Sequence, residues 1–211
     1  MNKNRLEAFS DGVFAIAITL LVLNIKVPTK QDITNAELNQ ILVKALPQLL
    51  SFVFSFLVIG VFWVAHHRIF SFAKVVDTPL VWLNIVYLMF IAIIPFPASI
   101  LADNFFLNST ILLYTGTLFL ISILNFSILK YILHNEDVKH EALTPEVYRS
   151  ATKTAVIGPI CYVLAAAACF ISAYISLFFM ACALLFYIFI SGKNTMSKKL
   201  IDVAKEKVES E

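Results

Sequence analysis

Long apolar runs separated by short polar stretches set the pattern of this 211-residue chain. A helix crosses the hydrocarbon of a bilayer with roughly 20 mostly apolar residues. Leu6 to Ile25 is such a run, with Glu7, Ser10 and Asp11 confined to its first third. Ala45 to Ala65 is a second, polar only at Gln48, Ser51 and Ser55. A third starts after Pro79 and is interrupted near its far end by Ile94-Pro95-Phe96-Pro97, and a fourth spans Ser109 to Leu129. Ala155 to Ile190 is apolar almost without a break. As one helix it would be roughly 54 Å long at about 1.5 Å per residue, too long for one crossing. The pattern therefore predicts a hairpin turning near Ser172 to Ser176, and six membrane-spanning helices in an all-α protein.

The connections are short except for Lys26–Lys44 and His134–Lys153. Within the second, Thr144-Pro145-Glu146 reads as a helix N-cap followed by proline at the first helical position. The six-helix unit is expected to occupy residues 1–192. The tail, 193–211, mixes lysines with Asp202, Glu206 and Glu209 and is expected to extend the last helix into solvent. Glu7 and Asp11 interrupt the first run and no small-x-small cleavage site follows, so it is expected to be a retained span and not a leader peptide.

Lysine and arginine positions predict the orientation. With the N-terminus cytoplasmic, inside segments hold Lys3, Arg5, Arg68, Lys74, Lys130, Lys139, Arg149, Lys153 and five tail lysines, against Lys26, Lys30 and Lys44 outside. Thirteen against three places both termini inside. Composition agrees with a polytopic membrane protein: 60% of residues are hydrophobic and 14% charged, with a mean hydropathy of +0.84. A soluble domain is nearer half apolar and a quarter charged. A net charge of +2 gives no reason to expect a nucleic-acid partner. Cys161, Cys169 and Cys182 lie inside apolar runs and read as packing residues.

Polar groups in lipid are costly and need a reason. The densest set opens the first helix: Arg5, Phe9, Ser10 and Asp11. At 100° per residue Asp11 lies about 140° from the face that carries Ile16, so it points sideways, towards another helix. His66, His67, Arg68 and Asn84 are its candidate partners, all at the cytoplasmic side of the predicted topology. Adjacent histidines diverge by about 100°, whereas a shared metal wants spacings of three or four, so no metal site is expected at His66-His67. No nucleophile elbow or phosphate-binding glycine loop accompanies them, so no catalytic residues and no cofactor are expected. Asn125 and Thr115 are expected to hydrogen-bond between helices, and Trp82 to mark the cytoplasmic end of helix three.

Phe9, Gly12, Ile16, Leu20 and Leu23 recur at spacings of three and four on the first helix, with Thr19 at the edge of that face. Such a stripe is either a lipid or packing face, or one wall of a pore whose apolar rings gate by dewetting. The sequence has no TVGYG-type filter and no arginine-rich sensor helix.

The segment Arg5-x-x-x-Phe9-Ser10-Asp11-Gly12-Val13-Phe14-Ala15-Ile16-Ala17-Ile18-Thr19-Leu20-Leu21 closely resembles the first-helix signature of prokaryotic members of the transmembrane protein 175 family. Phe62-Trp63-Val64-Ala65-His66-His67-Arg68-x-Phe70 and Trp82-x-Asn84 are similar to that family as well. The resemblance implies a potassium-permeable cation channel, a homotetramer in a bacterial-type plasma membrane, with the first helix lining the pore. It implies that Ile16 forms the narrowest point, Leu20 and Leu23 lie further out, and Thr19 contributes to potassium preference over sodium. Arg5, Phe9, Ser10, Asp11, Trp63, His67 and Asn84 would form a polar network that holds the first helix in place. Gating is expected by rotation or tilting of that helix. The competing reading is a proton-coupled secondary transporter that uses Asp11 and His66/His67 as a relay. A lipid-modifying enzyme built on the same three residues is a further rival.

Overall fold

The computed structural model describes residues 2–26, 33–141 and 143–190. All the regular structure among them is helical. Helix α1, Lys3–Leu20, runs on into a 3-10 turn, Leu21–Asn24; α2 is Asn35–Phe70, α3 Thr78–Ile93, α4 Pro95–Asp103, α5 Asn108–His134, α6 Pro145–Ala168 and α7 Ala173–Leu185, followed by a π turn, Phe186–Ile190.

The predicted six crossings correspond to α1, α2, α3 with α4, α5, α6 and α7. Five of these are long and apolar enough to cross a membrane, and Ala173–Phe189 forms a shorter apolar sixth. The third crossing breaks at Ile94, where Pro95 lacks an N–H and its ring crowds the carbonyl four residues back.

Three boundaries depart from expectation. Helix α2 begins at Asn35, ten residues before the predicted Ala45, because Thr34 and Glu37 form a reciprocal capping box. The polar residues between Asn35 and Lys44 are therefore helical and not part of a loop. Helix α6 starts at Pro145 with Thr144 as its N-cap, as expected, but the hairpin turn comes earlier than expected, at Cys169–Ser172. Ser172 caps α7 by accepting from the Tyr174 amide. The predicted helical tail, and Lys30 with it, lies outside the described residues.

The core lies where α1 packs on α2 and α3, α3 on α5, and α5 on α6 and α7. Tyr87, Tyr114, Phe14, Phe70 and Leu118 are among its fully buried side chains. Thr115 departs from the interhelical role expected of it, since its hydroxyl donates to Ile111 O of its own helix at 2.7 Å. Asn125 Oδ1 has no hydrogen-bond partner among the described residues. The three cysteines are free thiols, and Trp82 is exposed one turn into α3.

Two loops meet at the end of the bundle that carries the first residues of α1. Lys74 N donates to Val138 O at 2.8 Å and His140 N to Phe72 O at 2.9 Å. This short antiparallel bridge pairs Ala73 with Lys139. It joins the α2–α3 connection to the α5–α6 connection.

Candidate functional site

Helix α1 has two unlike faces. Leu6, Ser10, Phe14 and Ala17 are buried against the rest of the subunit, and Leu21 continues that face. The opposite face is bare: Phe9 is 55% exposed, Ile16 60%, Leu20 42% and Leu23 71%. Gly12 lies on it, and a Cβ there would meet nothing. Thr19 is exposed beside Leu20, and its hydroxyl donates to Ile16 O at 2.9 Å. That bond commits the hydroxyl proton to the helix and leaves the oxygen lone pairs available as acceptors.

Behind this face a buried chain of hydrogen bonds ties α1 to α3 and α2. Ser10 Oγ donates to Leu6 O at 2.8 Å, Asn84 Nδ2 donates to Ser10 Oγ at 3.0 Å, and His66 Nε2 donates to Asn84 Oδ1 at 2.7 Å. The amide orientation decides the histidine tautomer, because an Asn oxygen can only accept. Ser10, Asn84 and His66 are all buried. The His66 ring stacks on Tyr87 (5.5 Å, 10°) and Phe70 (4.4 Å, 29°).

The expected network had His67 in this position. Phe62, His66, Ile69 and Phe70 make up the inward face of α2 at spacings of three and four, and the next residue round, His67, is exposed. His67 instead stacks on Trp63, one turn back, at 6.1 Å and 24°. Trp63 in turn supplies the partner of Asp11: Trp63 Nε1 donates to Asp11 Oδ1 at 2.8 Å. Trp63 is not among the expected partners of Asp11 (His66, His67, Arg68 and Asn84), although the family resemblance places it in the same network; its neutral indole N–H serves instead. Arg5 and Phe9 are exposed and belong to neither set. The relay and enzyme readings use Asp11 with His66 and His67, and no direct hydrogen bond joins Asp11 to either ring among the bonds described. The structure bonds Asp11 and His66 to different partners, Trp63 and Asn84.

Both ends of α1 are also held. At the start, Lys3 Nζ donates to Ala73 O at 2.8 Å and pairs with Glu7 at 3.8 Å. At the far end, Asn24 Nδ2 donates to Pro95 O at 2.9 Å. The Lys26 amide donates to Gln48 Oε1 at 3.0 Å, and Gln48 Nε2 donates to Asp103 Oδ1 at 2.9 Å. Sequence reasoning did not find these groups; the available signal was Gln48, a long amide in an apolar run. The described residues contain no group of three His, Cys, Asp or Glu side chains able to hold a metal ion.

This geometry can be set beside known proteins. Residues 5–95 match the family model described as endosomal/lysosomal potassium channel TMEM175. A potassium channel of Streptomyces collinus is 51% identical over 104 residues, covering 49% of this chain and 50% of that protein. A potassium channel of Chamaesiphon minutus is 37% identical over 175 residues, covering 82% of this chain and 86% of that one. The crystal structure of a lysosomal potassium-selective channel TMEM175 homolog from Chamaesiphon minutus superposes with a TM-score of 0.78 at 34% identity, covering 90% of this chain and 97% of that one. With the signature helix, the six-helix architecture and a relative matched along most of both chains, this protein belongs to the TMEM175 family of ion channels.

Proposed function

We propose that this multi-pass membrane protein is a potassium-permeable channel whose pore is lined by the bare face of α1. Four copies would place four such faces around one axis in a bacterial-type plasma membrane, with both termini cytoplasmic. The observation that carries this reading is the division of α1 itself. One face is buried to the last residue, while Ile16, Leu20 and Leu23 are left uncovered by the subunit. In a membrane-spanning helix such a face meets lipid, a neighbouring subunit or a pore, and the family resemblance of α1 favours the pore. The relatives named as potassium channels supply the permeant ion, with sodium and other monovalent cations passing more weakly.

In this reading Ile16 is the constriction, with Leu20 and Leu23 at successively outer levels over about 12 Å, at about 1.5 Å per residue to Leu20 and about 2.0 Å in the 3-10 turn beyond it. Apolar side chains offer no replacement for the hydration shell of a cation, so a ring this narrow blocks until it widens. Thr19 adds outward-facing acceptor lone pairs beside the ring. Ser10, Asn84, His66, Asp11 and Trp63 position the helix and do not touch the ion.

The test is purified protein in planar bilayers with unequal potassium and sodium. Unitary currents reversing towards the potassium potential are expected. Coupled solute or proton uptake without unitary currents would instead place the protein among transporters. Replacing Ile16 by Asn hydrates the narrowest ring, so conductance should rise and discrimination between potassium and sodium should fall. An unchanged current with unchanged ion ratios would mean that the pore is lined elsewhere.

A further inference from the structure

A second surface of α2 has a built shape that the pore does not use. Between α2 and the π turn after α7 lies a groove of about 420 Å³, walled by Phe56, Gly60, Trp63, Tyr187 and Ile188 among others, with Arg68 at one end. Its floor is open because Gly60 has no side chain, and a Cβ there would meet nothing within 4 Å. Its outer wall is fixed: Tyr187 Oη donates to Thr154 O at 2.9 Å and accepts from the Gly158 amide at 3.1 Å.

We propose that this groove binds an anionic phospholipid, one acyl chain lying along Gly60 and the headgroup phosphate meeting Arg68. From Phe56 to Arg68 the groove follows about 18 Å of helix at 1.5 Å per residue, close to one leaflet of a roughly 30 Å hydrocarbon core. The walls are apolar along this length, and the single basic residue stands at the end that the lysine and arginine distribution assigns to the cytoplasm. The planar guanidinium carries five donors, so it can hold a phosphate alongside another acceptor. Anionic lipids concentrate in that leaflet. Trp63 forms part of the wall while its indole N–H holds Asp11 of α1, so the bound chain packs against a residue that positions the bare helix.

The binding test is independent of conduction, so its failure and the failure of the pore reading are separate results. In a Trp82→Phe background Trp63 is the sole tryptophan. The protein is reconstituted in phosphatidylcholine vesicles containing either brominated phosphatidylglycerol or, at the same mole fraction, brominated phosphatidylcholine. Trp63 fluorescence should be quenched with roughly fivefold preference for the anionic lipid, the scale of one basic residue at an anionic surface. Arg68→Gln should bring that preference to about one, and Gly60→Leu, which fills open space, should reduce quenching by both lipids. Equal quenching by both lipids in the parent protein would mean bulk lipid only. Absence of quenching would mean that protein covers the groove, from a second copy or from the C-terminal segment. Either result overturns the proposal, as does an Arg68→Gln variant that keeps the preference.

Discussion

Asn84 is the residue on which three helices depend. Its amide serves Ser10 of α1 with one end and His66 of α2 with the other. Truncation to alanine leaves the buried His66 N–H without its acceptor, at about 1–3 kcal/mol, while Ser10 keeps its bond to Leu6 O. Asn84→Ala should therefore lower the detergent-solubilised melting temperature by several degrees, and a heat-challenge chromatography assay would read it. Asp11 is different, because its bond to Trp63 is exposed. Trp63→Phe keeps an aromatic face for His67 and removes the N–H with part of a side chain that is already 41% exposed, so its melting temperature should fall by less than that of Asn84→Ala. Asp11→Ala should reduce assembly or expression more than it alters ion ratios. An intact assembly with altered selectivity in Asp11→Ala would put that carboxylate in the ion path. The sequence singled out Ser10, Asp11, Trp63 and Asn84 but chose His67 over His66. Both histidines sit four residues after an aromatic side chain, Phe62 or Trp63, so spacing alone could not say which pair faces inward.

Among the elements, α1 is held at its start through Ala73, in its middle through Asn84 and Trp63, and at its end through Pro95. Free rotation of this helix would break all of these bonds, so opening that proceeds by tilting carries α2 and α3–α4 with it. Helix α6 has a weaker point. Tyr187 Oη bridges the Gly158 amide and the Thr154 carbonyl, which are partners in an uninterrupted helix, one residue before Pro159. A Cβ at position 158 would come within 3.0 Å of that hydroxyl and 3.3 Å of Ser122 Oγ. Gly158→Ala should displace Tyr187, loosen the last turn and lower thermal stability, whereas Gly116→Ala, where a Cβ meets nothing, should not. Most elements were legible because apolar length is a strong signal, and the break at Ile94 followed from Pro95 and Pro97. The early start of α2 was hidden by polar composition, although Thr34 and Glu37 carried the capping-box spacing that announces it.

At the scale of the molecule, the sequence announced six apolar helical segments through run length, five of them long and apolar enough to cross a membrane. It could not give the contact between distant loops, because main-chain hydrogen bonds leave no mark on composition or period. The Phe72–Lys74 and Val138–His140 segments meet through amides and carbonyls, and the ion pair of Lys74 with Glu141 is a surface one at 3.6 Å, of little weight in water. The pairing itself is made of backbone groups, whereas Phe72, Ala73 and Val138 are buried beside it. Alanine at Phe72 or Val138 would report the lost packing of a buried side chain and not a lost hydrogen bond, so an alanine scan cannot isolate the pairing. Lys74→Pro or His140→Pro removes one of the two donors, and either should speed amide exchange across both loops at once, while Lys74→Ala, which keeps the N–H and loses only a surface ion pair, should change it much less. The loops thus behave as a seam sewn in backbone, whose thread proline cuts and alanine leaves in place.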